Sequence, residues 1–269
     1  MSPSGTVGRG RALIIAIVAL AVGGLSFAVG VGSLLGQRAE ASVLDASDFT
    51  MDPPAPLSLV STWSVAAALL VLALIAWAVH GFARGLWLFV FSLGAIAVSQ
   101  LLKQRVLSRP DFFDLDAPNT FPSGHMTVFA VVAGGLIWAA SVNWRGLAAV
   151  AGAVLMGAVS WQLLAYGWHR PSDVLGAQAL GLAAFALAAL LRPPRRARTV
   201  RLPGSASVGA NRVLGWVLAL GGIALVLGGI AMALIAASSR SDDLLLTAGE
   251  VALVGTAALT ARLMVAVAR

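Results

Sequence analysis

The sequence predicts an all-α, polytopic membrane helix bundle, and three observations support that class. Hydrophobic residues make up 59% of the 269 positions and charged residues only 11%, with a mean hydropathy of +0.91, which excludes a water-soluble domain. The apolar runs are continuous and rich in Ala, Leu, Val and Gly, a pattern typical of helices and unlike the alternation of a membrane barrel. Basic residues are concentrated in alternate connections, as the positive-inside rule expects of a multi-pass protein.

Eight segments are apolar enough to cross a bilayer, which takes about 20 residues each. They lie roughly at 12–35, 58–79, 86–102, 125–142, 147–166, 173–191, 213–236 and 244–267. The connections between them are marked by Pro, Asp or Arg, and none is long enough to hold a separate soluble domain.

The first segment has a second interpretation. Arg9 and Arg11 precede it and "AEA" at 39–41 follows it, a pattern that also suits a cleaved signal peptide. Its apolar run exceeds the roughly 7–15 residues of a signal core, which favours a retained span. Cleavage would leave the topology of the remaining chain unchanged.

The charged residues divide between the two sides of the predicted bundle. One side carries Arg9, Arg11, Arg84, Arg145, Arg192, Arg195, Arg196, Arg198, Arg201, Arg212 and Arg269. Ten of the eleven acids fall on the other side, and the eleventh, Glu250, lies inside the last span. The positive-inside rule therefore predicts a multi-pass cell-membrane protein with both termini in the cytoplasm. The external loops are then 36–57, 103–124, 167–172 and 237–243.

This organisation predicts a six-span core over residues 1–191, a basic cytoplasmic loop over 192–212 and two additional spans over 213–269. The loop reads "RPPRRARTVRLPGSASVGANR" and is interpreted as an orientation anchor that meets anionic lipid headgroups. Nothing in it requires a nucleic-acid partner. The absence of cysteine excludes disulfides and thiolate metal sites.

Two of the three histidines lie at external span ends. His125 belongs to "FPSGH", and His169 belongs to "WHRPSDVLG". Asp173 follows His169 by about one helical turn, so its carboxylate can accept a hydrogen bond from the imidazole and fix its tautomer. The third histidine, His80, lies at the cytoplasmic end of the second span and is interpreted as an interface residue.

Cations and a helix start share that external side. Lys103, Arg105 and Arg109 follow the third span in "LLKQRVLSRPDF". Ser123 and Gly124 begin a helix, whose N–H groups and dipole favour an anion. Singly, these features are explained by snorkelling, an ordinary helix start and a structural His–Asp pair. Together they are the groups that phosphoryl transfer without a metal needs.

The motifs resemble the type 2 phosphatidic acid phosphatase family, membrane lipid phosphatases that share their site architecture with vanadium haloperoxidases. The family pattern is a Lys followed by Arg-Pro, then Pro-Ser-Gly-His, then Ser-Arg, five residues, His, three residues and Asp. The matching residues are Lys103, Arg109, Pro110, Pro122, Ser123, Gly124, His125, His169 and Asp173. The resemblance covers roughly residues 12–191 and implies a six-span core.

The resemblance also implies a mechanism. His169, oriented by Asp173, attacks phosphorus, and His125 protonates the departing oxygen and then activates water. The phosphoryl oxygens are held by Lys103, Arg109, Ser123 and the backbone of Gly124. No metal or cofactor is required. The implied substrate is a polyprenyl or glycerolipid phosphate or diphosphate in the lipid bilayer, at the external face.

Two alternatives remain open at this stage. In a lipid phosphotransferase, an alcohol would take the phosphoryl group in place of water. A non-catalytic protein would bind phospholipids without cleaving them. The sequence chooses neither between these functions nor among substrates, and it leaves the oligomeric state open.

The chain departs from the family pattern at two places. Five residues separate Lys103 from Arg109 where the family usually has six, and Gln162 and Leu163 stand where the Ser-Arg pair is expected. One phosphate-binding arginine is therefore missing. Arg170, next to the expected nucleophile, is the candidate substitute, and the alternative is that it only snorkels to lipid headgroups. Glu250 is either a structural residue of the last span or a contributor to headgroup selection.

Overall fold

A computed structural model describes residues 3–113, 118–191 and 205–268, and its regular elements in these ranges are all helical. The helices are α1 (Pro3–Ser26), α2 (Leu34–Asp45), α3 (Thr62–His80), α4 (Phe82–Leu101), α5 (Gly124–Ala139), α6 (Arg145–Ala165), α7 (Pro171–Leu191), α8 (Ser205–Ser239) and α9 (Asp242–Ala268). Single π-helical turns extend α1 over Phe27–Val31 and α4 over Leu102–Val106, and a 3₁₀ turn covers Leu57–Leu59.

The all-α polytopic architecture is confirmed. Within the described ranges, seven helices are long and apolar enough to cross a membrane, and they coincide with seven of the eight predicted spans. The remaining span, α5, is apolar but has 16 residues, or about 24 Å at 1.5 Å per residue. It is shorter than predicted because the helix ends at Ala139 and not near 142.

Helix α2 corrects the predicted loop at 36–57. Ser33 caps this helix, and its hydroxyl accepts a hydrogen bond from the Gly36 N–H at 3.0 Å. The buried side chains are Gln37, Glu40 and Val43, spaced three apart on one face. Hydropathy did not indicate this helix because it is short and its buried face is partly polar.

Helix α8 corrects the predicted loop at 192–212. The helix begins at Ser205 and runs for 35 residues, about 52 Å at 1.5 Å per residue. That length exceeds the ~30 Å hydrocarbon core, so α8 continues beyond the apolar segment from which its span was predicted. Residues 192–204, with most of the loop's arginines, lie outside the described residues, as do Asp114, Asp116 and Arg269.

The core of the bundle lies around α5, α6 and α7. Its largest fully buried side chains include Trp138, Phe185, Met156 and Leu163. Helix α5 is enclosed by α3, α4, α6, α7 and α9, so a short central helix is covered on most sides by protein. Helix α9 packs against α6 and α7 as well as α8, which makes the last helix part of this core.

One end of the bundle gathers the predicted site residues. The N-termini of α5 and α7, the C-terminus of α6 and the turn after α4 meet there, and α2 lies against them. We call this the histidine end, because His125 and His169 both belong to it.

Candidate active site

The structure brings the two predicted catalytic histidines together. His125 lies in the first turn of α5 and His169 two residues before α7. Their ring centroids are 6.2 Å apart, with an interplanar angle of 62°. The Trp168 ring lies edge-on to His125 at 5.3 Å, and its indole N–H donates to the Thr50 carbonyl at 2.7 Å. The indole therefore fixes one side of the His125 imidazole.

Asp173 orients His169 as the four-residue spacing predicted. Its Oδ2 is 3.2 Å from His169 Nδ1, and the carboxyl group is fully buried. With Nδ1 in this contact, Nε2 is the nitrogen left to react. The Trp168 and His169 main-chain N–H groups both donate to the Leu163 carbonyl at 3.0 Å, which sets the position of the imidazole before α7 begins.

Asp173 also connects the neighbouring segments. The same Oδ2 accepts from the Thr120 hydroxyl at 2.6 Å and from the Arg170 main-chain N–H at 3.2 Å. Its main-chain carbonyl accepts from the Ser123 N–H at 3.0 Å. Among the described residues Oδ1 has no hydrogen-bond partner. Through its side chain and its main-chain carbonyl, Asp173 thus contacts both segments that carry the predicted histidines.

Lys103 lies beside the start of α5. Its Nζ is 3.9 Å from where a Cβ on Gly124 would be, and the Gln100 amide nitrogen would be only 2.9 Å from that Cβ. Lys103 is close enough to interact electrostatically with His125 and Asp173. It was predicted to lie just outside the third span, whereas the chain continues through it as a π-helical turn. This turn carries the ammonium group to the helix N-terminus.

Asn119 holds the lysine segment against "FPSGH". Its side-chain amide donates to the Leu107 carbonyl at 2.9 Å and to the Lys103 carbonyl at 3.3 Å, and its Oδ1 accepts from the Phe121 N–H at 3.1 Å. Sequence reasoning missed this residue. An asparagine in a loop carries no signal that separates such a clamp from an ordinary turn residue.

Ser123 has a capping role in this structure. The side chain is fully buried, and its hydroxyl oxygen accepts from the Met126 N–H at 3.2 Å. Since the main-chain N–H already donates to Asp173, a phosphate contact from Ser123 is left to the hydroxyl proton. The N–H groups of Gly124 and His125, in the first turn of α5, have no acceptor within the helix and supply the anion-binding end of its dipole.

Arg109 and Arg170 line a separate cavity next to the histidines. It has a volume of about 200 Å³ and is also lined by Gln37, Ala41, Leu44, Asp45, Pro110, Asp111 and Phe113. Burial lowers the pKa of Arg109 and the charge of Arg170 lowers it further, while Glu40 and Asp173 raise it. Two guanidinium groups and the carboxyl groups of Asp45 and Asp111 share this cavity.

Thr120 links this cavity to the histidine pair. Arg170 Nη1 donates to the Thr120 hydroxyl oxygen at 2.9 Å, and that hydroxyl donates to Asp173. The predicted residues therefore fall into two adjacent groups. His125, His169, Asp173, Lys103, Ser123 and Gly124 form one group, and Arg109 with Arg170 forms the other.

Helix α2 supplies two residues, Gln37 and Glu40, that sequence reasoning missed. The Gln37 amide donates to the Val31 and Pro110 carbonyls, both at 2.7 Å, and so holds the Arg109-Pro110 segment. Glu40 Oε1 accepts from the Ser172 N–H at 3.0 Å. Burial raises the pKa of Glu40, and the nearby Asp173 raises it further. The helical spacing of Gln37, Glu40 and Val43 was the available signal, but these residues lay in a segment predicted to be a loop.

Gln162 and Leu163 have structural roles in place of the expected Ser-Arg pair. The Gln162 amide nitrogen donates to the Pro54 and Ala55 carbonyls at 3.1 Å, and its oxygen accepts from the Leu57 N–H at 3.1 Å. Leu163 is fully buried. These positions anchor the loop after α2 and bring no positive charge to the site.

His80, Arg105 and Glu250 are the remaining residues that the sequence singled out. The His80 Nε2 lies 3.1 Å from the Ala140 carbonyl, at the opposite end of α5, consistent with an interface residue. Arg105 is exposed. Glu250 is half-buried with the Trp161 indole beside its carboxyl group, and the neighbouring Gly249 packs on Leu164 and Pro171. Helix α9 thus reaches the connection between α6 and α7.

The arrangement suits a reaction in which one imidazole attacks a centre and the other exchanges a proton with the group that leaves it. The two rings are neighbours, with their centroids 6.2 Å apart. One ring has a carboxylate that orients it, and an ammonium group and a helix N-terminus lie beside the other. These are the parts of nucleophilic catalysis with an oriented nucleophile and charge stabilisation.

Comparison of the chain with models of known families, with curated proteins and with solved structures finds no match. The function of the site is therefore argued from its own geometry.

Proposed function

We propose that this protein is an integral membrane phosphatase that hydrolyses a lipid phosphate or diphosphate through a phosphohistidine at His169. The observation that carries the proposal is the pairing of His125 and His169, whose ring centroids are 6.2 Å apart, with Asp173 in contact with Nδ1 of His169. The sequence resemblance to type 2 phosphatidic acid phosphatases points to the same chemistry for the same residues.

The first step forms the phosphohistidine. The Nε2 lone pair of His169 attacks phosphorus while the bond from phosphorus to the lipid oxygen breaks, and protonated His125 gives its proton to that oxygen. Asp173 keeps the imidazole oriented and stabilises the positive charge that develops on it. Lys103 and the N-terminus of α5 stabilise the negative charge on the phosphoryl oxygens.

The second step restores the enzyme. Neutral His125 removes a proton from water, the hydroxide attacks phosphorus, and the N–P bond of His169 breaks. Inorganic phosphate leaves, and His125 is again protonated. No step needs a metal ion.

A lipid substrate is favoured because the site lies at the ends of helices that are long and apolar enough to cross a membrane. Arg109 and Arg170 in the adjoining cavity are placed to hold a second charged group, which suits a diphosphate or the glycerol-side phosphate of a phospholipid. The arginine distribution of the sequence favours the external face of the cell membrane for this end.

Phosphate release by the purified full-length protein, from a panel of polyprenyl and glycerolipid phosphates, tests the proposal. We expect release by wild type and a loss of at least about 10³-fold in His169→Ala and His125→Ala, because each removes a reacting group. His80→Gln is the matched control, since this histidine lies at the other end of α5. Wild-type turnover by His169→Ala would remove it as nucleophile.

Non-catalytic phospholipid binding is the second candidate function. The observation in its favour is that Gln162 and Leu163 are buried in structural roles, so the expected arginine charge is absent. In the same panel this function predicts saturable lipid binding without release of phosphate or transfer to added alcohols. Transfer to an alcohol would instead identify a phosphotransferase using the same histidines.

A further inference from the structure

A second cavity lies at the opposite end of the bundle from the histidines. Its volume is about 510 Å³, larger than the cavity of Arg109 and Arg170. It is lined by Val142, Arg145, Gly146, Val208, Asn211, Arg212, Gly215, Trp216, Arg262 and Val265. These residues come from the connection between α5 and α6, the first turns of α6 and α8, and the last turns of α9.

Three arginines from three different helices converge on this cavity. Arg145 begins α6, Arg212 lies in α8, and Arg262 lies near the end of α9. Among the ten described lining residues none is acidic. Arg262 stands in a membrane-spanning helix, where cations are costly and face a polar cavity or partner. An anion in the cavity would offset the mutual repulsion of the Arg212 and Arg262 guanidinium groups.

The cavity walls are fixed by specific contacts. Asn211 Oδ1 accepts from the Gly146 N–H at 2.7 Å, and its amide donates to the Val142 carbonyl at 2.8 Å. This pair of bonds holds α8 against the connection between α5 and α6. Gly215 leaves room for Arg262, whose Nε would be 3.2 Å from a Cβ at that position. The Asn211 hydrogen bonds and the close approach at Gly215 therefore fix the position of the helices that carry the arginines.

The lining also has an apolar part. Val142, Val208 and Val265 lie in the wall, and Trp216 is 61% exposed beside them. A tryptophan at the end of an apolar helix is typical of the interface between headgroups and acyl chains. Cationic and apolar groups in one cavity match an anionic headgroup with its attached chains.

We propose that this cavity is a second binding site for a phosphate group, which is recognised by Arg145, Arg212 and Arg262. Two sources share this chemistry, the headgroup of an anionic phospholipid and free phosphate. The site is independent of the proposed activity, because none of its residues belongs to the histidine end.

Binding to the full-length protein in neutral detergent tests this site, with phosphatidylglycerol, phosphatidylcholine and inorganic phosphate as probes. Measurements in the His169→Ala background prevent turnover. We expect Arg262→Gln and Arg212→Gln each to weaken phosphatidylglycerol binding about tenfold or more, since each removes hydrogen bonds to a charged group. Arg262→Lys, which keeps the charge, should recover part of that loss and controls for folding.

Arg38→Gln is the matched control, because this exposed arginine lies on α2. A lipid source predicts tighter binding of phosphatidylglycerol than of phosphatidylcholine, with no displacement by millimolar phosphate. Displacement by phosphate, with the same dependence on Arg262, identifies free phosphate as the source. The proposal is overturned if Arg212→Gln and Arg262→Gln bind all three probes like Arg38→Gln, whatever the phosphatase assay shows.

Discussion

At the scale of single residues, the site depends on side chains that hold one another in place as well as on those that react. Asp173 accepts hydrogen bonds from Thr120 and from the Arg170 main chain while it contacts His169. The Arg170 guanidinium donates in turn to Thr120. A change at Arg170 therefore acts on the hydrogen bonds of the Asp173 carboxylate as well as on the charge of the site.

Replacement of Arg170 tests whether it substitutes for the missing family arginine. We expect Arg170→Ala to lower the rate of phosphate release by about 10²–10³-fold, the usual effect of losing one donor to transition-state charge. Arg170→Lys should recover part of the rate, because it keeps the charge but not the planar fork. Steady-state kinetics with both variants and with the exposed Arg38→Ala as control measure this. Equal, near-normal rates in all three would leave Arg170 with no role as a ligand.

The sequence indicated the proximity of the histidines and Asp173, but not the residues that hold them in place. His125, His169 and Asp173 could be predicted because their spacing and their order along the chain carry a signal. Asn119, Thr120, Gln37 and Glu40 could not be, because their contacts join segments far apart in sequence. Ser123 stays a predicted phosphate ligand through its hydroxyl proton, and the structure adds that its oxygen caps α5.

At the scale of elements, α2 is the part of the site that hydropathy did not indicate. It holds the Arg109 segment through Gln37 and the start of α7 through Glu40. Close packing of α2, the end of α1 and α7 is visible at Gly30, where a Cβ would lie 2.5 Å from the Ser172 Cβ and 2.8 Å from Glu40 Oε1. This packing buries the Glu40 carboxyl group.

The stability of the α2 contact should depend on pH. Burial raises the pKa of Glu40 above its ordinary value of 4.5, so the folded protein holds this proton more tightly than the unfolded chain. The protonated Glu40 carboxyl group stabilises the folded protein fully below about pH 4.5. This contribution is lost as the pH rises through the pKa that Glu40 has in the folded protein. Glu40→Gln removes the charged form and should raise the melting temperature in detergent above that pKa.

The comparison with wild type across pH measures this effect. The difference in melting temperature should shrink toward pH 4.5, where the wild-type carboxyl group is also neutral. Asp52→Asn, at an exposed position of the following loop, is the control and should show no such trend. A Glu40→Gln protein that melts below wild type at every pH would contradict this assignment of the buried charge.

At the scale of the whole molecule, the fold was largely predictable because a bilayer demands long apolar helices. Eight spans were predicted, and eight apolar helices are present in the described ranges. Their packing was not predictable, because hydropathy does not distinguish lipid-facing from protein-facing surfaces. Helix α9, predicted as an addition to a six-span core, packs against α6 and α7. Gly222 and Gly255 permit the contact of α8 with α9, since a Cβ on either would lie within 2.9 Å of the other's carbonyl oxygen.

The proposed mechanism predicts how the activity responds to a chelator and to vanadate. A reaction that uses two histidines and the positive charges of lysine and arginine side chains should continue in the presence of a chelator. Vanadate should inhibit it, because vanadate mimics pentacoordinate phosphorus. Phosphate-release assays with EDTA and with vanadate measure both effects. Strict dependence on added magnesium would contradict the proposed mechanism.

The central claim is that His169 becomes phosphorylated during turnover. The most direct test is to mix purified protein with a ³²P-labelled lipid phosphate, quench in base, where phosphohistidine is stable, and map the labelled peptide. The mechanism predicts label on the peptide that contains His169, none in His169→Ala, and wild-type labelling in His80→Gln. Phosphate release without label on His169, or with label on another residue, would contradict the mechanism.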